Sequence, residues 1–125
     1  MHCMILNDTQ TEAYDKIAQE LRRGVLIIAV LSQLHSETHG YALLSSLADH
    51  GLSIDQGTLY PLLRRLEAQG LLRSHWNTEG SRPRRYYAMT PAGQTVLGAL
   101  RRDWQELTSV IDKLFAQQED DHGTD

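Results

Sequence analysis

Several things are scarce in this chain, and each scarcity closes off a class of protein. Cysteine occurs once in 125 residues, as Cys3, so no internal disulfide can staple the fold, and a lone thiol fits a reducing compartment. Long apolar runs are missing: the longest strictly apolar stretch is Val25–Leu31, far short of the roughly 18 residues that mark a membrane-spanning helix. The first residues carry no charged–apolar–small leader pattern, so the expectation is a cytoplasmic protein with no membrane contact. Catalytic signatures are missing too. There is no glycine-rich phosphate loop, no G-x-S-x-G and no H-E-x-x-H, and no Cys or Ser nucleophile stands at a recognisable spacing from His and Asp or Glu. Neither an enzyme nor a bound cofactor is expected. Metal ligands do not cluster: His2 beside Cys3 has no second pair, and a turn between His35 and His39 spoils their four-residue spacing.

Lysine is scarce as well, and arginine replaces it. Ten of the twelve basic residues are arginines, the side chain suited to bidentate contacts with phosphate or guanine. The net charge is −4, but it is unevenly spread. Residues 57–87 hold Arg64, Arg65, Arg73, Arg82, Arg84 and Arg85 against Glu67 and Glu79, six positive less two negative, or +4. The remainder must carry −8, helped by Glu119, Asp120, Asp121 and Asp125. A polyanion meets the local field and not the sum.

That basic stretch begins with GTLYPLLRRLEAQG, residues 57–70. Leu59, Leu62, Leu63 and Leu66 recur at helical spacing and form an apolar back. Thr58, Pro61 and Arg65 fall opposite, with Tyr60 and Arg64 together along one flank. Asp55 is a candidate N-cap and Gly70 a candidate stop, and Pro61 is expected in the first helical turn, where a missing N–H costs nothing. An arginine and tyrosine front is what a recognition helix for a polyanion needs.

The remaining elements follow from pattern. A helix is expected from Thr11 to about Gln33, with Gly24 marking a kink, a close helix contact or the end of a first helix. Its GVLIIAVL run is apolar nearly all round and should be buried. Ser36-Glu37-Thr38 reads as a turn and cap, and a second helix from about His39 to His50 carries Leu43, Leu44 and Leu47 inward. Two short helices so tightly joined, the second basic, match a helix-turn-helix. Leu71–Asn77 and Arg84–Met89 read as a hairpin with turn chemistry at 78–83 and Tyr86 and Tyr87 on opposite faces. An arginine-tipped hairpin in this place has the form of a wing.

Thr90-Pro91 then starts a long helix. Leu97, Leu100, Trp104, Leu107, Ile111 and Leu114 alternate at three and four residues, a narrow seam that favours a second copy of the chain over packing on the first helix. Trp104 either fills that seam or, paired across a two-fold, lines a slot for a flat aromatic molecule. The reading is a mainly α fold with a small β-hairpin, a winged helix-turn-helix plus a long C-terminal dimerisation helix. The divisions are a flexible N-terminus at 1–10, the DNA-binding domain at 11–89, the dimerisation helix at 90–115 and an acidic flexible tail at 116–125.

LRRGVLIIAVL (21–31), HGYALLSSL (39–47), GTLYPLLRRLEAQGLL (57–72) and RRYYAMTPAG (84–93) resemble the PadR-like family of transcriptional regulators in order and spacing, and the single helix after the wing is similar to its shorter subgroup. The resemblance implies a repressor that binds a palindromic double-stranded operator as a homodimer, with release by a small aromatic effector in some members. It implies that Gly57, Thr58, Tyr60 and Pro61 face DNA, that Arg64 and Arg65 reach phosphates or base edges, and that Tyr41 contacts the backbone. Ser81, Arg82 and Arg84 would lie over an adjacent groove or strand. Arginine to guanine is the commonest specific contact, so Arg64 or Arg65 is the candidate base reader. The competing reading of Arg64 is a pair with Glu67 one turn on. Arg85 alternates with Arg84 along the strand, which would turn it to the body of the domain, and Arg73 is open to either role. The alternatives to a DNA-binding regulator are a winged helix used for protein contacts and a small-molecule-binding protein that binds no DNA.

Overall fold

The computed structural model describes residues 5–123, and side chains for 5–119; Cys3 and His2 lie outside the described residues. Helix α1 spans Asp8–Ser32, strand β1 Thr38–His39, helix α2 Gly40–Asp49, helix α3 Gln56–Ala68, strands β2 and β3 Leu72–Asn77 and Arg84–Met89, and helix α4 Pro91–Gly123. The three strands form one antiparallel sheet in the order β1-β3-β2. No helix among the described residues is long and apolar enough to cross a membrane.

Helix α1 starts inside the stretch expected to be flexible. Asn7 and Gln10 form a reciprocal capping box that satisfies two orphan N–H groups. The helix then runs through Gly24 unbroken, and a Cβ placed there would meet nothing within 4 Å. Gly24 therefore marks neither a helix end nor a close contact. Only the second half of the helix enters the core, with Leu26, Val30 and Leu31 buried, so the GVLIIAVL run is covered on one side and not all round.

Helices α2 and α3 end alike. Gly51 and Gly70 sit at φ +96° and +80°, and Leu52 and Leu71 donate back to the carbonyls of Leu47 and Leu66. This six-to-one closure needs the left-handed residue that glycine supplies cheaply. The apolar back of α3 is buried as its spacing predicts: Leu59, Leu62, Leu63 and Leu66 join Leu31, Leu34, Leu43, Leu47, Leu72 and Tyr87 in one cluster. Full burial of side chains of this size stabilises by about 1.5–3 kcal/mol each before conformational entropy is subtracted.

The strand β1 corrects the sequence reading of Thr38 as turn and cap. Thr38 and His39 pair with Tyr87 and Tyr86, so the hairpin is the larger part of a three-stranded sheet. His39, not Thr38, caps α2 through its ring. Two residues are too few to show a period, which is why pattern alone misses the strand.

The long helix α4 is fixed at its start by a crowded joint. Thr90 donates its hydroxyl to the Gly70 carbonyl at 2.6 Å and accepts the Gly93 N–H at 3.0 Å. A Cβ on Gly93 would lie 2.1 Å from the Leu71 carbonyl oxygen, so glycine alone fits there. The helix continues to Gly123, well past Phe115, so most of the segment expected to be a flexible tail is helical. Of the six seam residues, Leu97 and Leu100 pack against the core from its edge. Trp104, Leu107, Ile111 and Leu114 stay 44–62% exposed.

Candidate nucleic-acid interface

Helix α3 presents its polar front outward because its leucine stripe holds its back. Asp55 Oδ1 accepts the Thr58 N–H at 2.7 Å and opens the helix. That bond favours the charged carboxylate and lowers the Asp55 pKa. Helical spacing centres the uncovered face on Gly57, Pro61 and Arg64, with Thr58 and Arg65 toward α1 and Tyr60 and Glu67 toward the sheet. Gly57, Thr58, Pro61, Arg64 and Arg65 are all exposed.

Pro61 is not in the first turn. Gln56 is the first helical residue, so Pro61 lies in the second turn, inside the helix. Its ring removes the N–H that would bond to the Gly57 carbonyl. Both residues lie on the exposed face, where that carbonyl can be hydrated and where Gly57 adds no side chain to crowd the ring.

Tyr60 is half-buried against the core and is more a spacer than a free contact. Its ring lies across Gly40, and a Cβ there would sit 2.5 Å from Cε1 and 2.6 Å from the hydroxyl oxygen. Glycine at the start of α2 thus lets the two helices close on the tyrosine. Tyr41, the next residue, is 69% exposed and stands at the rim.

The wing completes the surface. Ser81, Arg82 and Arg84 are exposed at and beside the hairpin tip, where Gly80 turns at φ +91°. Between wing and helices lies a cleft of 460 Å³ lined by His39, Tyr41, Tyr60, Trp76, Arg82 and Arg84, among others. The helix side carries His39, Tyr41 and Tyr60, and the wing side carries Trp76 with Arg82, Arg84 and Arg85, a mix of aromatic and cationic groups that suits a sugar-phosphate strand. The structure thus brings Tyr41, Tyr60, Arg82 and Arg84 around one cleft, while Thr58, Pro61 and Arg65 border a second groove against Arg23 and Leu26 of α1.

Two residues are resolved by their partners. Glu67 accepts from Ser74 Oγ at 2.5 Å and from Arg85 Nη2 at 3.3 Å, and Arg85 Nε reaches Ser74 Oγ at 2.9 Å. Arg85 also lies over the Trp76 and Tyr87 rings. It therefore faces the body of the domain and ties β3 to α3, and Glu67 is bonded to it instead of to Arg64. Arg73 is exposed on β2. His39 lies on the outer sheet face in a row with Tyr86 and His75, a place that the sequence, which offers it only as a metal ligand or a helix start, does not reveal. A histidine before a glycine carries no signal of its own there.

Comparison with known proteins agrees with this geometry. The model of the "Transcriptional regulator PadR-like family" matches residues 27–99. A transcriptional regulator of Mycobacterium tuberculosis is 41% identical over 94 residues, covering 74% of this chain and 88% of the relative. Among solved structures, a PadR family transcriptional regulator from Eggerthella lenta is 51% identical with a TM-score of 0.74, covering 83% of this chain and 96% of the other. A PadR-like transcription factor from Bacteroides fragilis is 31% identical with a TM-score of 0.69, covering 79% and 98%.

Proposed function

The chain belongs to the PadR-like family of transcriptional regulators, a DNA-binding protein by family, and we propose that it is a repressor acting as a homodimer on a palindromic operator. The observation that carries this reading is the uncovered front of α3, with Arg64 and Arg65 at hand, flanked by a wing whose Arg82 and Arg84 are exposed. In this reading α3 enters the major groove, Arg64 or Arg65 reads a base edge, and Gly57, Thr58 and Pro61 allow close approach. Tyr41, Tyr60, Ser81, Arg82 and Arg84 hold the backbone and set register. No step of catalysis is involved, and the site of action is the DNA in the cytoplasm.

Dimerisation is supported by apolar surface that the monomer leaves uncovered. Trp104, Leu107, Val110, Ile111, Leu114 and Phe115 of α4, with Tyr14, Ile17 and Leu21 of α1, are 44–68% exposed. So much apolar surface on two helices is the mark of an interface, and a symmetric pair would set two recognition helices about 34 Å apart, one turn of duplex. Trp104 is the residue at which a flat aromatic effector would act, by favouring a dimer whose helices no longer match the operator.

The test is selection of duplexes from a random-sequence pool, with the molar mass of the free protein measured by light scattering. The reading expects a two-fold-symmetric consensus and a dimer. A monomer, or a pool that never converges on a sequence, would contradict it.

A further inference from the structure

At the base of the wing one imidazole is asked to accept twice. His39 Nδ1 accepts the Ala42 N–H at 3.3 Å and so caps α2, while His39 Nε2 lies 2.9 Å from Arg84 Nη1. Both contacts ask the ring to accept, yet a neutral imidazole has one lone-pair nitrogen and one N–H, and guanidinium only donates. Burial, with the Arg84 charge, lowers the His39 pKa from 6.5, so the ring is neutral at pH 7; an imidazolium, with two N–H groups, would satisfy neither contact. Whichever nitrogen holds the ring proton, one contact is lost: with Nε2 accepting from Arg84 the Ala42 N–H loses its cap, and with Nδ1 capping the helix the ring proton sits on Nε2 and points at the arginine.

Nothing nearby relieves this. Tyr86 of β3 meets the ring edge-on at 5.3 Å, and His75 of β2, stacked on the far side of Tyr86, is bonded to Glu37 at 2.8 Å. Arg85 is held by Glu67, and Tyr60 of α3 is packed on Gly40. Among the described residues no carboxylate pairs with Arg84. In the tautomer that caps α2, two donors, one of them charged, therefore meet on the lining of the cleft between wing and α2.

We infer that His39 and Arg84 together grip one phosphate of the DNA backbone, His39 through its Nε2–H and Arg84 through its guanidinium; the inference rests on the DNA-binding reading above. The phosphate supplies the missing acceptor to both groups at once. Nδ1 is then free to cap α2 without conflict, so the same ring orders the helix start and holds the strand. His39 joins the DNA-contacting residues as a neutral donor, and Arg84 is the charged half of the pair.

The test uses the tightest duplex from the random-sequence selection, with single phosphates replaced in turn by uncharged methylphosphonate. Wild type is compared with His39→Ser, which keeps a good N-cap but has no Nε2–H, and with Arg84→Met. One phosphate per half-site should cost wild type about tenfold in Kd when neutralised and cost both variants little, because the grip is already gone. His39→Ser should bind about tenfold more weakly per half-site with an unchanged salt slope, whereas Arg84→Met should also flatten the slope. The methylphosphonate scan on wild type stands even if a variant misfolds: no phosphate whose loss costs about tenfold overturns the inference. So does a His39→Ser protein that binds like wild type, or that loses as much as wild type at every phosphate. Failure to select any duplex would be read differently, as the failure of the DNA-binding reading itself, and would take the phosphate grip with it.

Discussion

The Tyr60 ring of α3 occupies the space where a side chain at position 40 would stand: a Cβ on Gly40 would come within 2.5 Å of Tyr60 Cε1. The start of α2 and the second turn of α3 are thereby held at one separation, and the cleft that faces the wing has one fixed wall.

Gly40→Ala should therefore force Tyr60 out of place. Overpacking of this kind costs roughly 1–3 kcal/mol, read as a lower midpoint in urea unfolding. Adding Tyr60→Ala should recover most of the loss, since the clash is with that ring. If the double variant is no more stable than Gly40→Ala alone, the two residues are not coupled as described.

The bonds of Arg85 to Glu67 and Ser74 tie the wing to the recognition helix. Arg85→Met should weaken duplex binding while leaving its salt slope unchanged, because this arginine is already engaged with Glu67 and Ser74. Removing Arg82 or Arg84 should reduce the slope by about one per site. In a double-mutant cycle, Glu67→Gln and Arg85→Met should show a coupling of roughly 0.5–3 kcal/mol in stability. A slope change in Arg85→Met would move it into the DNA contacts.

On α4, Ile111→Asp with Leu107→Asp should leave folding intact, since both side chains are exposed, 46% and 62%. The protein should become monomeric by light scattering, and operator binding should fall by several decades as the two half-sites are no longer engaged together. A dimer that survives both charges would place the interface elsewhere.

Stability should fall on the acid side for two separable reasons. The Asp55 pKa is lowered from 3.8 by its bonds with Thr58, so its contribution is present above that value and is lost as pH falls through the folded one. The His39 pKa is lowered from 6.5; the unfolded chain binds this proton more readily, so the contribution is full above 6.5 and declines below it. Thermal unfolding across pH should show Asp55→Asn flattening the lower limb and His39→Ser the upper one, each replacement still capping its helix. An unchanged profile in either variant would contradict the assigned bond.

Most of the fold is legible in the sequence because its signals are periodic or stereochemical. The Leu59–Leu66 stripe, the Asp55 cap, the Gly51 and Gly70 stops and the Thr90–Pro91 start each name a local structure for a physical reason. What stays hidden is non-local. The strand at Thr38–His39 exists only because β3 lies beside it, and Gly40 and Gly93 are required by Tyr60 and the Leu71 carbonyl, partners distant in sequence. Strand alternation separates Arg85 from Arg84, but their partners, Glu67 for one and His39 for the other, are distant in sequence and invisible to it. The α4 seam misleads in part, since its period cannot tell Leu97 and Leu100, packed on the core, from the exposed residues that follow.

The most direct test of the DNA-reading front is fluorescence anisotropy on the selected duplex and a scrambled one, over a salt series, with wild type and Arg64→Ala. Binding should be tighter to the selected sequence and weaken with salt, and Arg64→Ala should lose about 1–3 kcal/mol on the selected duplex alone if Arg64 reads a base. Equal binding of both duplexes by wild type, or no binding to either at low salt, would contradict it.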